Sequence, residues 1–209
     1  MAFTYFFRDL RVLDLAVWHL VPSVMGRTRI KVWDAGCAAG PEPFSVAILL
    51  AEAMGKFAFR NLQIVASDHD EGNNCESLIS EGVFPADPLS RIPKDLFEKY
   101  FVPAEREGHF RVIDVIRDSI TFRTHDLLSL KPVGEDFSLV VCKNVLLHFQ
   151  PAERVEVIKM FHRSLAPGGL FVTDEAQKMP DGLAHLFTAV VPGEQLHRKV
   201  EFRMRPGEA

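Results

Sequence analysis

The sequence predicts an α/β fold built on a doubly wound, mostly parallel sheet. Near-continuous apolar segments of strand length alternate along the chain with amphipathic segments of helix length. The first of these strands runs into a turn of small residues that opens a helix. The chain has 209 residues, of which 47% are apolar and 25% charged, as is usual for a globular domain. We therefore expect residues 1–209 to form a single domain.

The elements of the first half follow from their periodicity and from their helix-forming or strand-forming residues. We expect a helix at 4–20, a buried strand at 30–34, a helix at 43–54, a strand at 62–68 and a weaker helix at 71–80. The last of these helices is expected to be weak because Gly72, Asn73 and Asn74 are poor helix formers.

The second half continues the alternation after a loop. We expect a helix from about Lys94, an antiparallel strand pair within 109–128, a strand at 137–144, a helix at 151–165, a strand at 170–175 and an edge strand at 196–204. The antiparallel pair would turn at Arg117-Asp118 and form a small β insert at about 105–124. Pro151 suits the first turn of its helix.

The composition argues against several classes of protein. The net charge of −4 predicts no nucleic-acid partner. Cys37, Cys75 and Cys142 are far apart, and neither they nor the eight histidines show metal-ligand spacing, so we expect reduced thiols, a cytoplasmic location and no metal. We also expect no membrane insertion, because no apolar run is long enough to span a bilayer, and no signal peptide.

The turn after the first strand predicts a ligand. Its pattern, Asp34-x-Gly36-x-Ala38-x-Gly40, lets a ligand approach the backbone at the carboxyl end of a strand. The pattern differs from both common phosphate-binding loops, and the acid at position 34 favours a ligand with a cationic group, such as S-adenosylmethionine. Asp68 ends the second strand, where acids commonly bind ribose hydroxyls. Tight helix–sheet packing would also explain the small residues.

A set of longer motifs resembles a known family. The segments, in order, are "TYFFRD" (4–9), "WDAGCAAGPEPFSVA" (33–47), "ASDHD" (66–70), "EGVF" (81–84), "KYF" (99–101), "HDLL" (125–128), "VVCKNVLLHF" (140–149) and "LAPGGLFVTDE" (165–175). They resemble the CheR-type chemotaxis methyltransferases. The resemblance implies a class I methyltransferase fold, S-adenosylmethionine as cofactor with S-adenosylhomocysteine as product, and transfer to glutamate side chains of a chemoreceptor or other signalling protein.

The resemblance also implies roles for individual residues. By motif position, the site residues are Thr4, Arg8, Glu42, Asp68, Asp126, Leu127, Asn144 and His148. Arg8, Asn144 and His148 would lie at the methyl-transfer site, and the others, with Arg8 and Asn144, would contact the cofactor. Asp34, Gly36 and Ala38 join the cofactor set as part of the turn.

Four departures from the family pattern leave other functions open. The family's helical N-terminal domain is missing from the sequence, and Ala2, Pro41 and His148 stand where the family often has Asn, Glu and Tyr. A signalling module that binds S-adenosylmethionine without efficient catalysis is therefore an alternative, as is a methyltransferase for another acceptor.

The chemistry of methyl ester formation suits this set of residues. A glutamate is ionised at neutral pH, so no general base is required, and the work lies in alignment and desolvation. The planar fork of Arg8 can hold a carboxylate, although a surface pair with Asp9 would also explain it. Lys143 is expected to face solvent or join a salt bridge, and Cys37 and Cys142 are expected to be small core residues.

Overall fold

The computed structural model describes residues 4–69 and 74–201. The strands are β1 Ile30–Ala35, β2 Leu62–Asp68, β3 Val83–Pro85, β4 Phe101–Pro103, β5 His109–Val112, β6 Ile120–Thr124, β7 Phe137–Val141, β8 Leu165–Val172, β9 Phe187–Ala189 and β10 Leu196–Lys199. The helices are α1 Leu10–Val24, α2 Pro41–Phe59, α3 Cys75–Glu81, α4 Ala86–Leu89, α5 Lys94–Tyr100, α6 Asp114–Arg117 and α7 Pro151–Ser164.

Seven strands form the main sheet, in the order β6-β2-β1-β7-β8-β10-β9. The first five of these run parallel to their neighbours, whereas β10 is antiparallel to both β8 and β9. The order reverses direction at β1, since β2 lies on one side of it and β7 on the other. This reversal is the topological switch point at which ligands bind in doubly wound sheets, and the predicted fold class is confirmed.

Both faces of the sheet are covered, which explains the continuous apolar strands. Alternate residues of β1 point to opposite faces, so Val32 joins a core with α1 and α2 while Trp33 joins a second core with α7. Pro151 begins α7, and the Gln150 backbone N–H donates to Glu153 Oε2 at 2.7 Å as a cap. The predicted helix at 151–165 is thereby confirmed.

The first predicted helix begins later than expected. Residues 6–9 form a turn, and α1 starts at Leu10 because Phe7 and Asp9 have left-handed backbone angles, with φ of 58° and 52°. Apolar spacing alone could not reveal this. Among the described residues, no helix is both long and apolar enough to cross a bilayer.

The predicted antiparallel pair within 109–128 is wrong. β6 lies at the edge of the main sheet and pairs in parallel with β2, from Ile64↔Ile120 to Asp68↔Thr124. β5 instead pairs with β3 and β4 in a separate three-stranded antiparallel sheet. The short helix α6 separates β5 from β6, so the turn at 117–118 redirects the chain between two sheets.

The last strands also differ from their predicted positions. β8 begins at Leu165, earlier than the expected 170, and ends at Val172. β10 is an interior strand, because β9 pairs with it on its outer side and forms the edge. The part of the predicted edge strand beyond residue 201 lies outside the described residues.

Candidate active site

A cavity of about 610 Å³ opens at the carboxyl ends of β1, β2, β6 and β7. Ligand pockets in proteins commonly measure about 300–1,000 Å³. Ten of the eleven predicted site residues line this pocket: Thr4, Arg8, Gly36, Ala38, Glu42, Asp68, Asp126, Leu127, Asn144 and His148. They come from five parts of the chain, which the parallel sheet brings to one edge.

The turn after β1 forms a wall of bare backbone. Gly36 has φ of 88° and donates its N–H to the carbonyl of Ser67 at 2.7 Å. A Cβ at this glycine would lie 2.3 Å from Val145 Cγ2, so no side chain fits there. Ala38, with φ of 48°, donates its N–H to Asp68 Oδ2 at 2.9 Å. The second strand thus holds the turn in place, and small residues keep that side of the pocket open.

Asp34 does not line the pocket. Its side chain is fully buried, and neither carboxylate oxygen has a hydrogen-bond partner among the described residues. Burial raises its pKa well above the usual value; the nearby acids Glu42 and Asp68 raise it further, and Lys143 opposes them. Its position therefore does not support the predicted direct contact with a cationic ligand group.

Asp34→Asn should stabilise the protein at alkaline pH. A carboxyl group whose pKa is raised by folding stabilises the native state fully at low pH, and this contribution is lost as pH rises through the folded-state pKa. The amide has nearly the same shape and no charge. At pH 8 we expect the variant to unfold at a temperature about 2–4 °C higher than the parent. An increase of about 1 kcal/mol in the free energy of unfolding produces a shift of this size in a domain of about 200 residues.

Thermal unfolding of both proteins from pH 4 to pH 8 measures this effect. The advantage of the variant should shrink towards pH 4, where the folded parent keeps its carboxyl protonated and the unfolded chain, near its ordinary aspartate pKa, is about half protonated. If the Asp34→Asn variant is less stable than the parent at every pH, Asp34 is held charged by the fold.

The turn after β6 supplies another part of the pocket lining. Asp126 caps a short 3-10 turn, accepting the Leu128 N–H on Oδ1 at 2.8 Å, and the neighbouring Leu127 is buried. This cap orders the backbone beside the pocket and leaves an apolar side chain next to an acid. Such a pair suits the flat face and polar edge of a purine base.

Arg8 and Asn144 meet inside the pocket, although they are 136 residues apart. Arg8 Nη2 donates to Asn144 Oδ1 at 2.7 Å, while Arg8 Nε lies 3.9 Å from Asp9 Oδ2. The Arg8 side chain is 28% exposed, so one end of a partly buried guanidinium faces the cavity. Both sequence interpretations of Arg8 agree with its contacts, because it lines the pocket and also lies next to Asp9.

Lys143 also lines the pocket, although the sequence motifs did not single it out as a site residue. Its side chain is 0% exposed, which corrects the expectation of a solvent-facing lysine, although a salt bridge is present. Nζ donates to Glu42 Oε2 at 2.9 Å and to the Arg8 carbonyl at 2.7 Å, and lies 3.5 Å from Asp9 Oδ2. The sequence feature that could have indicated its burial is its position just after a buried apolar strand.

Glu42 stands at the start of α2, with its side chain only 10% exposed. Burial raises its pKa, while the ammonium of Lys143 favours its ionised form. A carboxylate at a helix N-terminus is also stabilised by the helix dipole. The pair with Lys143 therefore keeps Glu42 fixed at the pocket wall.

Asp174 is a second residue that the motifs did not single out. It is 4% exposed and follows β8. Its two oxygens accept the backbone N–H groups of Asn144, at 2.8 Å, and Ala176, at 3.0 Å. Asn144 has a left-handed φ of 58°, and the bond from Asp174 supports that turn.

Cys37 and Cys142 are buried beside the site, as expected. Burial and the surrounding acids raise the pKa of both thiols well above the usual value, so neither is activated as a thiolate. His148, by contrast, is exposed on the pocket rim in a short 3-10 turn. Ala2 and Asp70 lie outside the described residues.

The fold and the site together define a doubly wound domain with a ligand-sized pocket at the switch point of its sheet. The comparison with known families specifies this class. The family model "CheR methyltransferase, SAM binding domain" matches residues 2–192. This chain belongs to that family, and the domain is one that binds S-adenosylmethionine.

Two curated relatives agree with the family assignment. Chemotaxis protein methyltransferase 2 of Vibrio cholerae is 28% identical over 181 residues, which cover 84% of this chain and 62% of that protein. A protein of the same name from Pseudomonas aeruginosa is 27% identical over 190 residues, covering 90% of this chain and 66% of that protein. The chain thus spans somewhat less than two thirds of the length of these relatives.

One solved structure illustrates the fold-level likeness. The N-methyltransferase NodS from Bradyrhizobium japonicum, in complex with S-adenosyl-L-homocysteine, aligns with a TM-score of 0.45 and 15% identity over 91% of this chain and 87% of that chain. This likeness is too distant to add to the family assignment.

The residues of the pocket fit this cofactor. The bare backbone at Gly36 gives a wall that a bulky ligand can approach, and the cavity has the volume of a ligand site. Two acidic side chains stand at the ends of the neighbouring strands β2 and β6, Asp68 at the last residue of β2 and Asp126 two residues after β6, and they suit sugar hydroxyls and an amino group.

Asp68→Ala should weaken cofactor binding by about 1–3 kcal/mol, the cost of leaving a buried hydrogen-bonding group unmet. The variant also loses the acceptor that holds the Ala38 N–H. Calorimetric titration with S-adenosylhomocysteine measures the change, and Asp87→Ala, on an exposed helix, is the control. Unchanged affinity would mean that the acid after β2 does not touch the ribose.

Proposed function

We propose that this domain transfers a methyl group from S-adenosylmethionine to glutamate carboxylates of a chemoreceptor-like protein, producing glutamate methyl esters. The observation that carries the proposal is the meeting of the Arg8 guanidinium and the Asn144 amide in the pocket, 2.7 Å apart. A fixed, permanently charged fork at this place is suited to a carboxylate acceptor. The family assignment and the names of the curated relatives support the same reaction.

The pocket residues divide into two groups under this proposal. Asp68, Asp126 and Leu127 would hold the nucleoside, beside the bare turn at Gly36 and Ala38. Arg8 bonds Asn144 and is joined to Glu42 through Lys143, and this cluster, with Thr4, would surround the amino-acid part of the cofactor and the reacting groups. Bound S-adenosylmethionine supplies an electrophilic methyl group on a sulfonium centre.

The protein's own contribution is alignment. The acceptor carboxylate is ionised at neutral pH and needs no base. Arg8 would hold it by one edge of the guanidinium while Asn144 fixes the other, which restricts its approach and replaces part of its hydration shell. His148, exposed on the rim, can donate one hydrogen bond from its ring to an incoming side chain.

We further propose a cytoplasmic location, with a receptor or another signalling protein as partner. The three cysteines are free and buried, which suits a reducing compartment. The proposal includes neither nucleic acid nor insertion into a membrane.

Two successive measurements test the proposed function. Calorimetric titration with S-adenosylmethionine and S-adenosylhomocysteine should show micromolar binding. Transfer of tritiated methyl to a purified receptor cytoplasmic fragment should then give counts that mild base releases as methanol, as an ester requires. Radioactivity that mild base does not release would show that the methyl group is attached to an acceptor other than a carboxylate. Cofactor binding without methyl transfer to any receptor would favour a signalling module.

A further inference from the structure

The segment that carries Arg8 has little regular structure of its own and must be held by other elements. Residues 4–9, here called the N-terminal strap, lie ahead of α1. Residues 6–9 form a turn, with left-handed angles at Phe7 and Asp9. Phe6 is buried in the core, and the Phe7 N–H donates to Ser45 Oγ on α2 at 2.9 Å. These contacts fix the middle of the strap but do not involve Arg8, which lines the pocket.

Lys143 makes the contact with Arg8 itself. Its ammonium donates to the Arg8 carbonyl at 2.7 Å and to Glu42 Oε2 at 2.9 Å, and lies 3.5 Å from Asp9 Oδ2. It therefore joins the strap, the first turn of α2 and the end of β7 in one cluster around a fully buried ammonium. An ammonium has three N–H donors, and three acceptors surround this one.

The next residue holds the other end of Arg8. Asn144 Oδ1 accepts from Arg8 Nη2, and Asn144 Nδ2 lies 3.4 Å from Asp9 Oδ2. Consecutive side chains of a strand point to opposite faces. β7 ends at Val141, and Asn144 has a φ of 58°, so the chain turns and both side chains reach the same residue.

We propose that Lys143 is a positioning residue, which holds the backbone of Arg8 so that Asn144 can orient its guanidinium at the methyl-transfer site. The catalytic part of this inference rests on the proposed function, whereas the anchoring of the strap does not. Lys143 acts through Arg8, so its loss should matter only while Arg8 is present.

Hydrogen exchange tests the anchoring without any enzymatic activity. In Lys143→Met, which keeps the apolar stem and removes the donors, amides of residues 4–9 should exchange at least about tenfold faster, while those of β1 and β2 keep their rates. Lys159→Met is the matched control, since Lys159 pairs with Glu156 on the partly exposed α7 far along the chain. Unchanged exchange in the strap would overturn the proposal.

A second variant covers the case in which Lys143→Met does not fold. The loss of one partner leaves Glu42 buried and uncompensated, so Glu42→Gln combined with Lys143→Met removes both charges of the pair. This double variant still lacks the donor to the Arg8 carbonyl, and its strap should exchange as fast as that of the single variant. If the amides of the strap exchange as slowly in the double variant as in the parent, the proposal is overturned.

A double-mutant cycle at saturating cofactor tests positioning. We expect Lys143→Met to lower the rate of methyl transfer about 100-fold, and the combination with Arg8→Ala to fall no more than about threefold below Arg8→Ala alone. If the fold-losses in rate of the two single substitutions multiply in the double variant, Lys143 acts independently of Arg8, and the positioning role is overturned. If the parent protein transfers no methyl group to any receptor, the proposed function fails, and the exchange rates still decide the anchoring.

Discussion

Arg8→Ala should lower the turnover rate of methyl transfer at least about 100-fold while changing the affinity for S-adenosylhomocysteine less than tenfold. The guanidinium is the cation placed to hold an acceptor carboxylate, and misplacement of a reacting group by about 1 Å can cost a factor of about 100. The effect should be on the rate at saturating cofactor, because the walls formed by Gly36 and Asp68 remain intact.

Arg11→Ala is the control for this experiment. Arg11 lies three residues further along, is 80% exposed and pairs with Glu194 at 2.7 Å outside the pocket, so its loss should leave transfer unchanged. Arg8→Lys should recover only part of the activity, since a lysine keeps the charge but lacks the planar fork. Equal turnover in Arg8→Ala and the parent would remove Arg8 from the mechanism.

Gly36→Ala should destabilise the domain by about 2–5 kcal/mol. A non-glycine residue in left-handed geometry costs about 1–2 kcal/mol, and overpacking costs about 1–3 kcal/mol. Both apply here, because φ is 88° and the added Cβ would lie 2.3 Å from Val145 Cγ2. Cofactor affinity should fall as well, since relief of the clash shifts the wall of the pocket.

Gly26→Ala separates the two causes. Gly26 has a similar φ of 83°, but no atom of the described residues lies within 4 Å of the place that an added Cβ would take, so its substitution reports backbone strain alone. Urea unfolding of both variants gives the difference, which should be at least about 1 kcal/mol. Equal losses would mean that Val145 moves aside freely, and Gly36→Ala should then retain its cofactor affinity.

The sequence predicts the main parts of this site because motif and topology agree. The carboxyl ends of parallel strands meet at one edge of a sheet, so residues that follow β1, β2, β6 and β7 are brought together wherever such a sheet forms. The longer motifs add residues, such as Arg8 and Thr4, that no periodicity could place. Both of these side chains line the pocket.

Two errors have a common physical cause. β6 was expected to pair with the strand before it, and β10 was expected at the sheet edge, because alternating apolar residues indicate a strand but not its partner. The partner of β6 is β2, in parallel, and the nearer β5 joins another sheet, while β9 covers the outer side of β10. Partner choice depends on which edge is free and on which side chains are buried there, and both are properties of the assembled sheet.

The sequence by itself determined the alternation of strands and helices, the small-residue turn and the set of polar residues at the strand ends. Only the tertiary structure decided the state of Asp34 and Lys143. A charged side chain looks solvated in sequence, but Asp34 is fully buried, and Lys143 is buried against partners 101 and 135 residues away. Whether a charged side chain is buried depends on the groups that distant segments of the chain place around it, and these groups cannot be predicted from the neighbouring sequence.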